Sequence, residues 1–433
     1  MDGMSRKNYK FKDSPLGRIP EEWEVVRLGD IAKIKTGNSN VQDAAETGDY
    51  LFFDRSGEIK RSNRYLFDKE AVIVPGEGTE FLPKYYCGKF DLHQRAYAIF
   101  DFSSVLSGEY LFYAMHKFNR ILANWAVGTT VKSLRLPMFE NLLLLLPPLP
   151  EQRKIAEILE TIDNAIEKTD AIIEKYKRIK QGLMQDLLTK GVVSEGEGES
   201  ERWRLRDENI DKFKDSPLGR IPEEWKICKL DHREITIMIT DGSHYSPQPV
   251  ENSEYYIVNI ENIINGKIEF ETCKKISPKD YKKLVSNKCN PKYGDVLFTK
   301  DGTVGITLVF SGERNVVLLS SIAIIRPSNC LDSYYLKYSL ETEQIKKQID
   351  ILIGGSVLKR IVLKDIKSLV IFIPPIPEQQ RIASILSQID EAIEKERAYK
   401  EKLERIKKGL MEDLLTGKVR VNHLIEEENK DGN

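Results

Sequence analysis

The chain has 433 residues, enough for two or three domains with real cores, and 41% of them are apolar, as in a globular protein. Its 66 Lys and Arg stand against 67 Asp and Glu, a net charge of -1, which argues against a uniformly basic nucleic-acid coat but leaves room for local basic faces. Five scattered cysteines without a C-x-x-C pair speak against a zinc site or disulfide framework, and the lack of an apolar leader or of any run of 18 apolar residues predicts a soluble, cytoplasmic protein.

In chain order, the first notable stretch is KFKDSPLGRIPEEW at 10–23, a turn-rich opening box that returns unchanged at 212–225. A variable region follows. AVIVPGEGT at 71–79 reads as a short apolar strand running into a glycine turn, RAYAIF at 95–100 as the strand behind it, and SGEYLFYAMHKF at 107–118 as a helix. LPPLPEQRKIAEIL at 146–159 is a proline-rich box opening a long amphipathic segment that ends in QGLMQDLLT at 181–189. Its apolar residues step by three and four through Ile155, Ile158, Ile162, Ala165, Thr169, Ile172, Tyr176, Ile179, Leu183 and Leu187, which is a heptad seam. Pro150 fits the first helical turn and Glu151 suits the positive end of the helix dipole. SEGEGESE at 194–201 reads as a flexible acidic connector.

The second half repeats this order. DVLFTKDGT at 295–303 answers the first strand and turn, SIAIIR at 321–326 the strand behind, and LDSYYLKYSL at 331–340 the helix. IPPIPEQQRIASIL at 373–386 answers the proline-rich box and KGLMEDLLT at 408–416 the tail, both at a distance of 227 residues. The second seam runs through Ile382, Ile385, Ile389, Ala392, Glu396, Tyr399, Leu403, Ile406, Leu410 and Leu414. Each half is therefore an opening box, a variable region, a proline-rich box and a tail of fixed length, an internal duplication in which the second variable region is 25 residues longer. Two equal helices in one chain can bury their seams on each other, and an antiparallel pair suits a two-fold repeat.

Motifs of chemistry are missing. The sequence has no Walker loop, no G-x-G-x-x-G after a strand, no Gly-x-Ser-x-Gly elbow and no methyltransferase signature, and the five histidines show no ligand spacing. A binding signal is present. From Lys267 to Lys300 nine lysines face four acids, with Tyr281 and Tyr293 interleaved. VGTTVKSLRLPMF at 127–139 aligns without a gap onto GGSVLKRIVLKDI at 354–366, so Lys132 with Arg135 and Lys359 with Arg360 lie beside a glycine turn. TDGSHYS at 240–246 is a loop of small polar groups. Such loops can place side chains in a groove while Lys and Arg contact phosphates.

The duplicated boxes ending in IPEEW, the paired LPPLPEQ and IPPIPEQ boxes, the paired GLMQDLLT and GLMEDLLT tails and the TDGSHYS loop together resemble the specificity subunit of type I restriction–modification enzymes, over nearly the full chain. The resemblance implies an α+β fold: two mixed α/β target recognition domains separated by two long antiparallel coiled-coil helices, as a pseudo-two-fold internal repeat. It divides the chain into a first target recognition domain (1–150), a first conserved helix acting as central spacer (151–190), a linker (191–211), a second recognition domain (212–377), a second conserved helix (378–416) and a tail packing near the N-terminus (417–433). It implies a non-catalytic subunit whose domains each read half of a split site in double-stranded DNA. The helices set the gap. Two copies of the modification subunit and, in the full complex, restriction subunits are the partners. No cofactor is expected on this chain, since S-adenosylmethionine, ATP and Mg belong to the partners. The residues expected at DNA are Thr79, Lys132 and Arg135 in the first half, and Thr240, Asp241, Ser243, His244, Tyr245, Lys300, Thr303, Lys359 and Arg360 in the second. From the residues alone, a coiled-coil adaptor joining two copies of a partner without touching DNA accounts for the duplication equally well, though not for the lysine-rich face.

Overall fold

The computed structural model describes residues 10–196, 202–312, 314–354 and 360–425. The chain divides into two compact units, one formed by residues 1–171 and 398–433 and the other by 172–397. Each unit therefore owns the first half of one long helix and the second half of the other. The helices are Leu149–Leu187 and Ile376–Leu414, of 39 residues each.

Unit 1 is built on a six-stranded sheet whose spatial order is Lys33–Thr36, Ala96–Phe100, Phe67–Pro75, Lys84–Leu92, Tyr50–Phe53 and Lys60–Ser62. All neighbours are antiparallel except Tyr50–Phe53 and Lys84–Leu92, which run parallel. The central strand is apolar on both faces because both are covered: Val72 and Val74 join the main core, while Ala71 and Ile73 join an aromatic layer with Phe53, Phe67 and Phe90. The helix Gly108–Trp125 lies on the main-core face through Tyr110, Leu111, Met115 and Leu122, and Ser107 caps it by accepting from the Tyr110 amide. It runs seven residues beyond the predicted 118, because apolar residues continue to Leu122. A separate ribbon pairs Glu24–Arg27 with Leu143–Leu146 and ties the start of the unit to the proline-rich box.

Unit 2 repeats this topology in two pieces. Thr236–Asp241, Ile322–Pro327, Val296–Thr299 and Thr307–Val309 form one sheet; Lys274–Lys275, Tyr255–Val258 and Asn315–Leu318 form another. The strand that is continuous in unit 1 stops here at Val309 and resumes at Asn315, across Gly312 with φ of 75°. The extra length of this half goes mainly into 259–273 and into the segment carrying the helix Pro278–Ser286. Helices Ser333–Leu340 and Glu343–Ile353 pack on the first sheet, capped by Asp332 and Thr342, and the latter ends on Gly354 in the left-handed conformation. Val192–Glu195 pairs with Arg202–Leu205, so the predicted connector begins as the strand of a hairpin; residues 197–201 lie outside the described residues.

Within unit 1, Asp163 pairs with Lys407 at 2.5 Å and Asp170 with Lys400 at 2.7 Å, so the two helix halves run antiparallel. Within unit 2 the same holds, with Lys180 on Asp390 at 2.7 Å and Leu187 in one core with Ile382. The predicted seam is half right. Ile155, Thr169 and Leu187 are buried, but Ile172, Ile179, Tyr399 and Ile406 are exposed. The covered positions are Leu159, Ile173, Leu386 and Ile393, together with half-buried Lys180 and Lys407. The seam therefore passes one residue from the expected track at every second step, taking the neighbouring Leu159, Ile173, Leu386 or Ile393 at some of them and, at Lys180 and Lys407, a lysine beside the isoleucine that a purely apolar reading selects.

Candidate nucleic-acid interface

Each unit gathers four chain segments at one end of its sheet, through the same backbone hydrogen bonds. In unit 1 the Ser39 amide donates to Leu92 O (3.2 Å), Gln94 to Ser39 O (2.9 Å), Gly76 to Arg95 O (2.8 Å) and Leu134 to Gly76 O (2.8 Å). In unit 2 Ser243 donates to Leu318 O (2.7 Å), Ser320 to Ser243 O (2.9 Å), Lys300 to Ser321 O (2.7 Å) and Ile361 to Lys300 O (3.0 Å). Isolated bridges complete the match: Glu77 with Ser133, and Asp301 with Arg360. Gly37 and Gly242 are required where the first loop crosses the strand behind, because a Cβ at either would strike the backbone of Leu92 or Leu318. Strand-end loops on a shared scaffold, with different side chains, are a natural place for two recognition surfaces.

The side chains differ sharply. In unit 1 the Glu77 carboxylate accepts from Arg95 Nη1 (2.6 Å), Arg55 Nη1 (3.3 Å) and Ser133 Oγ (3.3 Å). Gln94 Nε2 donates to Asn40 Oδ1 at 2.6 Å beside it. His93, between these loops, accepts on Nδ1 from the Arg95 amide (3.0 Å), and burial pushes its pKa below the ordinary imidazole value, keeping that nitrogen free to accept. In unit 2 Lys300 donates to Asp241 Oδ2 at 2.7 Å, His244 Nε2 lies 3.7 Å from the same oxygen, and Arg360 Nε meets Asp301 Oδ1 at 3.0 Å. Ser243 Oγ closes its own loop, accepting from the Tyr245 amide and donating to the Tyr245 carbonyl. Tyr245 is exposed, with the Lys283 ammonium 5.1 Å from its ring centre.

The structure thus brings Thr240, Asp241, Ser243, His244, Tyr245, Lys300, Thr303 and Arg360 to one loop cluster, and Thr79, Lys132 and Arg135 to the corresponding one. Several of them do something other than face solvent, Ser243 being buried and bonded within its own loop. Lys300 is buried, and its ammonium ties the Asp241 loop to the glycine turn. Lys132 turns its ammonium onto the Ala123 carbonyl at the C-terminal end of the helix Gly108–Trp125, where a cation is favoured. Lys359 lies outside the described residues. Arg55, Glu77, Asn40, Gln94 and Arg95 were not singled out from the sequence. The signal was available: aligning the two turns sets Glu77 on Asp301, an acid in both copies. A cleft of about 1790 Å³ in unit 2, lined by Lys180, Tyr338, Glu341, Ile351 and Asp390 among others, touches none of the expected DNA residues among those described.

A second duplicated site holds each unit together. Trp23 Nε1 donates to Glu151 Oε2 at 2.9 Å, and Arg420 donates to Glu151 through Nε (2.6 Å) and Nη2 (2.9 Å). In unit 2 Trp225 Nε1 donates to Glu378 Oε2 at 3.1 Å, and Arg206 forms a bidentate pair with Glu378. All six side chains are buried. The next residues, Gln152 and Gln379, are equally buried. Each accepts from the amide at the start of the packed helix, Ser107 or Asp332, and donates to the proline carbonyl behind it, Pro147 or Pro374.

Comparison with known proteins agrees with this duplicated architecture. The profile of the family described as "Type I restriction modification DNA specificity domain" matches twice, over residues 20–177 and 222–405. The MjaVIII specificity subunit of Methanocaldococcus jannaschii, a type I restriction enzyme component, is 29% identical over 442 residues, covering 96% of this chain and 98% of that protein. The EcoDI specificity subunit of Escherichia coli is 24% identical over 395 residues, covering 86% of this chain and 82% of its own. The crystal structure of the S subunit of a type I restriction-modification system from M. genitalium superposes with a TM-score of 0.59 at 15% identity, over 90% of this chain and 96% of that one, and so shares the fold. The chain belongs to the family of type I restriction–modification specificity subunits.

Proposed function

We propose that this chain is the DNA-reading subunit of its complex, with each unit reading one half of a split site and the paired helices holding the two halves at a fixed gap. The observation that carries this reading is the loop cluster. One backbone scaffold occurs in both units, and it displays Arg55, Glu77, Arg95 and Gln94 in one but Asp241, His244, Tyr245 and Arg360 in the other. A pure adaptor needs like surfaces; a reader of two unlike half-sites needs this difference. Major-groove base edges present distinct donor and acceptor patterns, and arginine, amide and carboxylate groups are those that distinguish them. The duplication further supports a pseudo-two-fold arrangement in which two copies of a modification subunit dock on like surfaces. Catalysis and its S-adenosylmethionine, ATP and Mg then reside in the partners, with adenine flipping also performed there.

Adenine-methylation mapping of host DNA tests this. With the chain present, methylation should fall on one split motif with a constant gap, and it should vanish when the chain is deleted. Exchanging residues 24–146 for those of a relative should change one half of the motif only. A change in both halves, or methylation indifferent to the chain, defeats the reading.

A further inference from the structure

We propose that each unit reads a guanine through an arginine that the acid of the shared turn holds in place: Arg95 held by Glu77 in unit 1, and Arg360 held by Asp301 in unit 2. This rests on the DNA-reading role above and names the base it reads. The backbone bonds put Glu77 and Asp301 at the same point of the scaffold, directly after the residue that receives the crossing amide of Leu134 or Ile361. The arginines do not share a position. Where unit 1 has Arg95, the equivalent residue of unit 2 is Ser321; where unit 2 has Arg360, unit 1 has Ser133. Arginine and serine have exchanged places around a constant carboxylate.

Stability does not account for this exchange, because a solvent-exposed ion pair contributes little to a fold. The exposures point outward instead. The side chains of Glu77 and Asp301 are 13% and 32% exposed, while those of Arg95 and Arg360 are 53% and 57% exposed. Each carboxylate sits deeper than its arginine and meets it through one nitrogen, Nη1 of Arg95 or Nε of Arg360, which leaves the other N–H groups of the guanidinium to what lies beyond. Two of the remaining donors suit the O6 and N7 acceptors of guanine in a bidentate pair. Because the two arginines enter from different loops, the two guanines stand at different places in their half-sites, and the half-sites need not be alike.

The test uses the full chain assembled with its modification subunits to select duplexes from a randomised pool, which is then sequenced. The unaltered complex should select a split motif with a guanine, on either strand, in each half. Arg95→Ala should relax one guanine position in one half by roughly tenfold to a hundredfold, and Glu77→Gln should relax the same position less. Arg360→Ala should relax one position in the other half only. Arg95→Lys keeps the charge without the fork and, if the alanine variant folds poorly, should still relax that position. A motif unchanged by Arg95→Ala and Arg95→Lys overturns the assignment, as does an equal loss on every duplex, which marks a phosphate contact. Failure of the unaltered complex to select any motif overturns the DNA-reading role itself.

Discussion

At the scale of single residues, the repeated boxes are explained by a buried corner. Glu151 and Glu378 look in the sequence like ordinary helix-dipole acids, yet each is buried between a tryptophan and an arginine. The tryptophan comes from the opening box, the acid from the proline-rich box and the arginine from the segment after the other long helix. Gly191 and Gly417, both at positive φ, close the corner, because a Cβ there would strike Trp225 or Pro20. No one-dimensional pattern joins these three segments, which is why the box was legible as a repeat and its purpose was not. Removing one partner of such a pair leaves a buried charge, so Arg420→Ala should destabilise unit 1 by about 3–5 kcal/mol and Arg206→Ala unit 2 by a similar amount. Hydrogen exchange read unit by unit checks whether each loss stays in its own unit. His116 offers a pH test. Burial, with the nearby Lys407 charge, lowers its pKa to about 4, against a weaker opposing pull from Asp163. The unfolded chain titrates this imidazole near 6.5, so between pH 6.5 and 4 it carries a proton that the folded chain refuses. Stability is complete above pH 6.5 and falls as pH drops toward 4, by on the order of 3 kcal/mol. In His116→Leu, urea denaturation of unit 1 should lose most of that slope.

At the scale of elements, the long helices open within the proline-rich box and close within the LLT tail, Leu149–Leu187 and Ile376–Leu414, and proline at the first turn is the local signal of their start. The seam was harder to read. Lys180 and Lys407 occupy core-facing positions and reach Asp390 and Asp163, while those acids also accept from Tyr338 (2.7 Å) and Tyr113 (3.0 Å). Each lysine also stands over its tyrosine ring, at 5.1 Å from Tyr338 and 5.9 Å from Tyr113. A composition-based seam discards lysine, and only the structure supplies the carboxylate and ring that satisfy it. Burial resists the charge on Asp390, but Lys337 and Lys180 outweigh it and hold its pKa below the ordinary value. The stability it contributes is therefore present above the unfolded carboxylate pKa near 3.9 and is lost only as pH falls below that. Asp163→Asn should cost unit 1 about 1 kcal/mol, since the pair is partly exposed and the amide still accepts from Tyr113. Lys407→Met, which keeps the stem on the seam, should cost no more. A thermal-denaturation comparison decides it: a loss several times larger for Asp163→Asn would mean that the acid orders the helices rather than merely pairing with lysine.

For the whole molecule, the duplication was legible because identity over long stretches needs no physics to detect, whereas the two variable regions share a scaffold of backbone bonds that side-chain identities conceal. The same scaffold carries unequal charge. In unit 1 four cations near the loop cluster are paired with acids: Arg55 and Arg95 with Glu77, Lys60 with Asp54 and Arg64 with Asp91. In unit 2 the helix Pro278–Ser286 presents Lys279, Lys282 and Lys283 to solvent behind the Tyr245 loop. Phosphate affinity arises from released counterions and scales with the number of cations placed on the backbone. With a net charge of -1 and those four cations of unit 1 paired, the chain without partners should bind duplex DNA weakly and lose that binding steeply as salt rises. Unit 2 should supply most of the salt slope. Lys279→Ala and Lys282→Ala should each reduce the slope of log affinity against log salt by about 0.9, with equal weakening on every sequence. Titrating a labelled duplex at several salt concentrations measures this directly. Nanomolar binding by the chain alone, insensitive to salt, would show that base contacts rather than phosphate contacts dominate, and that the partners are not needed for affinity.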